Sequence, residues 1–203
     1  MKYFALIIIT TLSASSVLAE SLIRIRGLQV SPLLSDKAEK GKFKSGSEEV
    51  PMSTPPSEYQ SVLISYGIFA VGTSSITTKF TFSNKDYSLK SNWMDGALIF
   101  NGPGKTSITL GTGISTKGEG LISNQSGTLT SDTVTGVSWF GIFAIEYELP
   151  LNLDFIGLEF TEVLFGYREN QIEYSNFQNS SSVMRNKLKI KTIHYQFGVG
   201  FVF

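Results

Sequence analysis

Within the last seventeen residues of the chain, large apolar side chains alternate strictly with small or polar ones from Thr192 to Phe201. Such alternation has the period of a β-strand, in which successive side chains point to opposite faces. One face would carry Ile193, Tyr195, Phe197, Val199, Phe201 and Phe203, and the other Thr192, His194, Gln196, Gly198 and Gly200. A strand with this pattern suits a barrel that has lipid outside and a crowded polar lumen inside. The segment 187–203 therefore predicts a membrane-spanning β-barrel.

The aromatic residue Phe203 stands at the end of this strand. In this respect the chain resembles bacterial outer-membrane β-barrel proteins, in which a terminal Phe closes the last strand within an aromatic girdle and serves as an assembly signal. The resemblance implies location in the bacterial outer membrane. It also implies two partners, which are the outer-membrane lipid and the outer-membrane assembly machinery.

The beginning of the chain predicts export. Met1 and Lys2 precede an apolar run from Tyr3 to Leu12, and small residues follow as far as Ala19. This order is typical of a cleaved signal peptide over residues 1–19, which leaves 20–203 as a single barrel domain. No later stretch approaches the eighteen or so uninterrupted apolar residues of a transmembrane helix.

Composition excludes several classes of protein. The chain has no Cys, so it contains no disulfide scaffold and no thiolate metal site. Of its 17 basic and 17 acidic residues, only Lys2 lies in the predicted signal peptide. The remaining charges nearly balance, so no net field would attract nucleic acid, and no nucleic-acid partner is expected.

Eight strands can be assigned from the alternation, which gives an all-β, antiparallel, up-and-down barrel. They cover 22–30, 61–68, 76–82, 93–100, 107–115, 136–149, 156–164 and 187–203. Long loops are expected at 33–57, 84–92, 117–132 and 173–186, and short turns at 71–74, 101–104 and 150–152. The long loops fall after the odd-numbered strands, which places them outside the cell and both termini at the periplasmic rim.

Apolar positions are expected to face lipid on every strand. This rule turns Ile76, Phe80 and Phe82 outward on the third strand, and Ile156, Leu158, Phe160 and Leu164 outward on the seventh. The alternation weakens near Glu162, where a β-bulge is expected. The layout is similar to that of small outer-membrane proteins of the OmpA, OmpX/Ail and OmpW kinds, and the opening segment 23–32 looks most like the first strand of the OmpW group.

The predicted lumen contains a cluster of opposite charges. Its members are Arg24, Arg26, Lys79, Asp95, Glu146, Glu148 and Glu159. An eight-stranded barrel is only wide enough for its own side chains, so charges inside it must be paired. Arg24 and Arg26 are expected to meet Glu146 and Glu148 across the lumen. The cluster is interpreted as a salt-bridged plug, and the alternative is a selectivity filter for a small solute.

His194 and Gln196 are expected to face the lumen as polar residues. Some eight-stranded outer-membrane barrels are lipid A acyl-modifying enzymes, and in the deacylase type a Ser follows the His two residues later. Gln196 stands at that position here. A single His without Cys also lacks the usual composition of a transition-metal site. No catalytic residue, metal or cofactor is therefore expected.

The segment from Asn101 to Ser107 superficially resembles a phosphate-binding loop. A Walker A motif needs a Gly five residues before its Gly-Lys-Thr, and Ile99 stands there. It also needs a following helix, whereas the residues after Thr106 have the period of a strand. The segment is expected to form a hairpin turn.

The function expected from these features is structural or surface-interacting, without enzymatic activity, in a monomeric outer-membrane barrel. The loop 33–57 combines Lys and Glu with three Pro residues and is the candidate surface for an extracellular ligand. Two alternatives remain. The first alternative is a narrow pore or conduit for small or apolar solutes, and the second is a lipid-modifying enzyme.

Overall fold

The computed structural model describes residues 22–30, 40–45, 48–53, 57–82, 84–124, 127–148, 157–178, 183–184 and 187–203. Their strands are β1 (Ile23–Val30), β2 (Lys40–Ser45), β3 (Glu48–Ser53), β4 (Ser57–Tyr66), β5 (Phe69–Phe82), β6 (Lys85–Gly102), β7 (Thr106–Asn124), β8 (Gly127–Ser131), β9 (Thr133–Tyr147), β10 (Phe160–Ser175), β11 (Phe177–Gln178), β12 (Val183–Met184) and β13 (Leu188–Val202). Within these ranges, no helix is long and apolar enough to cross a membrane. The predicted signal peptide lies outside the described residues.

Eight of the strands close into an antiparallel barrel in the order β1, β4, β5, β6, β7, β9, β10 and β13. Paired residues can be followed once around the wall, through Phe203, Ile23, Tyr66, Phe69, Leu98, Leu110, Gly141, Tyr167 and Tyr195. The circuit returns to β13 eight residues from its start, which is a shear of eight. Eight strands with this shear tilt by about 36°, and their side chains fill the interior.

The two ends of the barrel differ. At one end, here called the turn end, the chain reverses at Gly67–Ile68 and at Pro103–Lys105, and Ile23 pairs with Phe203. Gly67 and Gly104 take positive φ angles of 58° and 69°, as tight hairpin turns require. The opposite end, the loop end, carries the β2–β3, β5–β6, β7–β8 and β11–β12 hairpins. The expected turn at 101–104 is therefore present, whereas the turn at 150–152 lies outside the described residues.

A belt of exposed apolar side chains surrounds the turn-end part of the wall. It includes Ile25, Ile64, Val71, Leu98, Leu110, Ile145, Phe165 and Phe201. Aromatic residues border the belt, with Tyr66, Phe69 and Tyr147 near the turn end and Trp139, Tyr167 and Tyr195 nearer the loop end. Such a belt with flanking aromatic girdles is the surface that a transmembrane β-barrel presents to lipid.

Near the loop end the pattern inverts, because the interior is apolar and the exterior is charged. A buried core there contains Tyr87, Leu89, Ile122, Ile172, Tyr174, Phe177, Leu188 and Ile190, each at most 6% exposed. Outside it, Lys79, Lys90, Lys117 and Glu119 are exposed. This part of the barrel has the polarity of a water-soluble protein, so the strands continue beyond the membrane.

This inversion corrects the predicted facing of the third strand. Ile76 is only 1% exposed and points inward, whereas the Lys79 side chain is 57% exposed and points outward. The rule that apolar residues face outward holds only where the surroundings are hydrocarbon. Ile76 packs in the protein core instead.

Most of the predicted loops are strands. The loop 33–57 contains the β2–β3 hairpin, whose β2 pairs with the start of β13. The predicted loop 84–92 lies almost entirely in β6, and β7 continues to Asn124 and pairs with β8. A bulge at Thr116 shifts the register there, because Trp93 pairs with Ser115 and Asn92 with Lys117. The predicted turn 71–74 lies inside β5.

The seventh predicted strand is displaced and faces the other way. β10 begins at Phe160, with Glu162 and Leu164 buried inside and Val163 and Phe165 on the outer wall. Its pairing with β9 and β13 runs without a register shift at Glu162, so the expected bulge is absent there. Three consecutive apolar residues at 163–165 give no alternation from which the facing can be read.

Candidate functional site

The first layer of buried charge lies near the turn end. Arg26, which is 1% exposed, donates a hydrogen bond from Nε to Glu162 Oε2 at 2.6 Å and one from a terminal nitrogen to Ser107 Oγ at 2.7 Å. Arg24 lies 3.5 Å from Glu162 and 3.3 Å from Glu146. Glu162 therefore pairs with two guanidinium groups and joins β10 to β1, its second neighbour along the wall. The bond from Arg26 to Ser107 crosses the lumen to β7.

The second layer lies nearer the loop end and centres on Arg168, which is fully buried. Its guanidinium forms two 2.9 Å hydrogen bonds to the Asp95 carboxylate. The other acceptors are Ser138 at 2.7 Å, Asn170 at 2.9 Å and Tyr59 at 3.3 Å. All five N–H groups of this guanidinium therefore have partners, which is what makes a buried cation tolerable.

Aromatic rings surround the same cation. The Arg168 guanidinium carbon lies 5.6 Å from the ring centroid of Tyr59 and 5.3 Å from those of Trp93 and Phe140. These rings add cation–π attraction and exclude water, which strengthens the ion pair with Asp95. The layer crosses the barrel, because Tyr59 and Asp95 belong to β4 and β6 whereas Arg168 belongs to β10.

His194 and Gln196 lie in the lumen, on the inner face of β13. The His194 ring is fully buried, with Nε2 2.9 Å from Thr192 Oγ1 and its plane stacked on Tyr59 at 6.1 Å between centroids. Gln196 is 4% exposed and packs against Gly166. Both residues extend the second layer. Among the described residues, no group of three or more His, Cys, Asp or Glu could hold a metal ion.

Three residues of the predicted cluster lie outside the lumen. Lys79 pairs with Glu58 at 3.6 Å on the outer surface, because its strand has passed beyond the membrane. Glu148 follows the last residue of β9 and pairs with Lys105 at the turn end, with both side chains more than half exposed. Glu159 is exposed just before β10 begins. Glu148 and Glu159 were predicted to face the lumen from their positions in the alternation, but they lie just beyond the ends of β9 and β10.

Two functional residues of the lumen, Glu162 and Arg168, were missed by the sequence prediction. Both lie on β10, where the even-numbered positions from Glu162 to Asn170 face inward and Val163, Phe165 and Tyr167 face outward. The signal was present only beyond Leu164, where Phe165 and Tyr167 alternate with Gly166 and Arg168. The prediction ended this strand too early to use it.

Glycines on the inner face make room for the buried ion pairs. A Cβ atom added at Gly113 would lie 2.1 Å from Asp95 Oδ1 and 2.9 Å from the Arg168 guanidinium. A Cβ added at Gly200 would lie 2.4 Å from Glu162 Oε2. The small residues of the lumenal rows therefore lie beside large charged residues on the neighbouring strands, since Gly113 is paired with Asp95 and Gly200 with Glu162.

We expect Gly113→Ala to lower the free energy of unfolding by about 1 to 3 kcal/mol, because the new methyl group overpacks the second layer. Gly96→Ala is the matched control, since an added Cβ at Gly96 meets nothing within 4 Å. Urea titration in lipid vesicles measures both variants. If both substitutions change the free energy of unfolding equally, the side chains of the second layer must move aside for the new methyl group without strain.

This geometry defines a small transmembrane β-barrel of the outer-membrane type. Neisserial surface protein A has the same fold, with a TM-score of 0.50 at 13% identity over 91% of this chain and all of that one. Ail of Yersinia pestis aligns with a TM-score of 0.46 at 12% identity over 91% of this chain and 99% of that chain. OprG of Pseudomonas aeruginosa gives 0.42 at 11% identity over 91% and 97%. No family model and no curated protein matches the sequence.

Proposed function

We propose that this protein is an outer-membrane barrel with a closed lumen, which acts through its surface at the loop end and transports no solute. The observation that carries the proposal is the pair of buried ionic layers. Arg168 pairs with Asp95 across the lumen, from β10 to β6. Arg26 pairs with Glu162 two strands along the wall and also reaches Ser107 on β7, on the opposite side. The four charged residues are at most 2% exposed. A conducting pore would keep such groups hydrated.

The closure has three layers in series. The ionic layers of Arg26 and Arg168 lie within the membrane part of the barrel, and the apolar core around Leu89 and Ile190 lies beyond them. An apolar plug and two ionic plugs oppose water for different reasons, since the first offers water no hydrogen bond and the Arg26 and Arg168 guanidinium groups already bind carboxylates. Opening one layer leaves the other two in place.

We further propose that the barrel has no catalytic activity. His194 is the only histidine, and it is enclosed by Tyr59 and Thr192 inside the wall. Membrane lipid contacts the outer face of the barrel, so a general base enclosed in the lumen would not reach an acyl chain there. The β2–β3 hairpin and the neighbouring loop-end hairpins are then the surfaces available to an extracellular ligand.

Planar-bilayer recording tests the closed lumen. We expect the inserted protein to give no discrete openings at neutral pH, and Arg26→Ser to remain silent because the other two layers are unchanged. Protease protection and heat-modified gel mobility confirm insertion in each experiment. Discrete openings of the parent protein would support a narrow pore. Openings of Arg26→Ser alone would show that the turn-end layer is the only barrier.

A further inference from the structure

A groove with a volume of about 760 Å³ crosses the outer wall of the barrel, over strands β4 to β7. Its sides are formed by outward side chains, which are Val62, Ile64, Val71, Thr73, Met94, Thr112 and Ile114. Its floor is formed by Gly72, Asp95, Gly96 and Gly113. The Asp95 side chain has no exposed surface, so this residue contributes main-chain atoms to the floor. The groove is therefore lined almost entirely by apolar side chains and main chain.

The groove exists because no side chain covers Gly96. This residue takes an outward position on β6, between the exposed Met94 and Leu98, and an added Cβ atom there would meet nothing within 4 Å. Gly141 also faces outward, on β9, but Leu110 covers it, with Cδ2 3.7 Å from an added Cβ atom. The outer wall is thus level at Gly141 and hollow at Gly96.

The groove lies just inside the membrane boundary at the loop end. A shear of eight on eight strands offsets positions of equal depth by one residue per strand. The register joins Gly96 through Thr112 to Trp139 of the aromatic girdle. Met94 is therefore level with Trp139, and Gly96 lies about 5 Å closer to the bilayer centre. At this depth the groove faces the hydrocarbon chains of the leaflet at the loop end.

Uncharged polar side chains adjoin the groove at this boundary. Ser75 and Asn92 occupy the next outward positions beyond the groove on β5 and β6, and Gln60 of β4 lies opposite Ser75. These three residues, here called the polar patch, line a second hollow of about 330 Å³, which shares Val62 and Thr73 with the groove. Their hydroxyl and amide groups can both donate and accept hydrogen bonds.

The groove and the polar patch together match an amphiphile with an apolar chain and an uncharged polar head. Of the residues that line the two hollows, only Asp95 is charged, and its carboxylate pairs with Arg168 in the lumen. Inside a bilayer the hydrophobic effect does not favour a groove over the surrounding hydrocarbon, so packing and hydrogen bonds select the occupant. A chain in the groove contacts protein on more than one side, which increases its dispersion contacts.

We propose that the groove binds one acyl chain of a membrane amphiphile, and that the polar patch binds the uncharged ester and hydroxyl groups at the head of that chain. Single-chain glycerides and the glycerol region of larger lipids share this chemistry. The chain lies over Gly96, and its head lies beside Ser75 and Asn92. The proposal depends on the membrane position of the apolar belt and does not depend on the closed lumen.

Monopalmitoylglycerol is the probe for the groove, and native mass spectrometry of the protein in detergent micelles measures its affinity. We expect Gly96→Leu to lower this affinity about tenfold, because the new side chain fills the groove and replaces the contacts of several methylene groups. Gly141→Leu is the matched control. It adds the same side chain at the same depth on β9, where Leu110 already covers the wall, and it should leave the affinity unchanged.

Methyl palmitate is the probe for the polar patch, because it has the same chain and an ester but no hydroxyl groups. We expect the parent protein to prefer monopalmitoylglycerol. Asn92→Leu should reduce this preference about fivefold, which is the effect of losing one hydrogen bond. Gln171→Leu removes an exposed amide on the outer wall of β10, away from the groove, and should leave the preference unchanged.

Several results would overturn the proposal. Equal losses in Gly96→Leu and Gly141→Leu would mean that the chain contacts the wall as a whole, and an affinity unchanged by Gly96→Leu would mean that it binds elsewhere. A preference unchanged by Asn92→Leu would contradict the role of the polar patch. A parent dimer that Gly96→Leu dissociates in analytical ultracentrifugation would assign the groove to a second copy of the chain.

Two further measurements keep the test independent of folding and of the lumen. If Gly96→Leu fails to insert, Thr112→Leu narrows the groove from β7 and takes its place beside Gly141→Leu, with the same loss expected. Heat-modified gel mobility confirms insertion of each variant. Bilayer conductance is measured separately, so an open lumen would contradict the proposed function and leave this outcome unaffected.

Discussion

Replacing Asp95 with Asn should lower the free energy of unfolding by about 3 to 5 kcal/mol, because it leaves Arg168 charged, buried and without a carboxylate partner. The Arg168 guanidinium has no route to solvent, since it is fully buried among Tyr59, Trp93 and Phe140. Urea titration in lipid vesicles, followed by the fluorescence of the exposed Trp139, measures the effect.

The double change Asp95→Leu with Arg168→Met should restore most of this stability, because two apolar groups of similar volume can replace a buried ion pair at little cost. Glu58→Gln is the control for loss of one carboxylate. Its pair with Lys79 is exposed and spans 3.6 Å, so the substitution should have little effect. If Asp95→Asn is as mild as Glu58→Gln, water must reach Arg168, and the second layer is then not closed.

Replacing Glu162 with Gln should also cost about 3 to 5 kcal/mol, since its carboxylate lies against both Arg24 and Arg26. Glu146→Gln should cost less. The Glu146 side chain is 13% exposed, and its ion pair among the described residues is with Arg24, at 3.3 Å. Unfolding in urea compares the two variants, which carry the same change in charge.

A double-mutant cycle identifies the partner of Arg26. Arg26→Met should show a coupling energy of about 0.5 to 3 kcal/mol with Glu162→Met, and almost none with Glu146→Met. The sequence predicted that Arg24 and Arg26 would both meet Glu146 and Glu148. In the structure, Arg26 instead pairs with Glu162. Strict additivity of Arg26→Met and Glu162→Met would contradict the direct pair and favour a hydrated lumen.

The sequence was sufficient where hydrophobic alternation coincides with lipid contact. On β7, Ile108, Leu110 and Ile114 are exposed, whereas Ser107 and Thr109 are buried, as their alternation predicted. The terminal strand behaves in the same way from Tyr195 to Phe201, where the odd-numbered apolar residues are exposed. In these segments the side chains have only two environments, lipid and lumen, so the period of two in the sequence determines the facing directly.

Alternation alone failed where the environment changes along a strand. Ile76 was assigned to lipid because it is apolar, yet it lies on the inside of β5 near the loop end. Lipid and a packed protein core attract the same side chains, so apolar character identifies a buried face without distinguishing between the two. On β10, the consecutive apolar residues Val163, Leu164 and Phe165 fit either facing.

The pairing inside the lumen was decided only by tertiary structure. Arg26 and Glu162 are 136 positions apart in the chain, and they meet because the register pairs both with Gly200 of β13, which lies between them and has no side chain. By itself the sequence determined that the chain forms a membrane barrel and which residue types fill its lumen. The tertiary structure then determined which charges became partners and which remained at the surface. Strand tilt, strand length and the point at which each strand leaves the membrane decide this, and they are properties of the closed sheet as a whole.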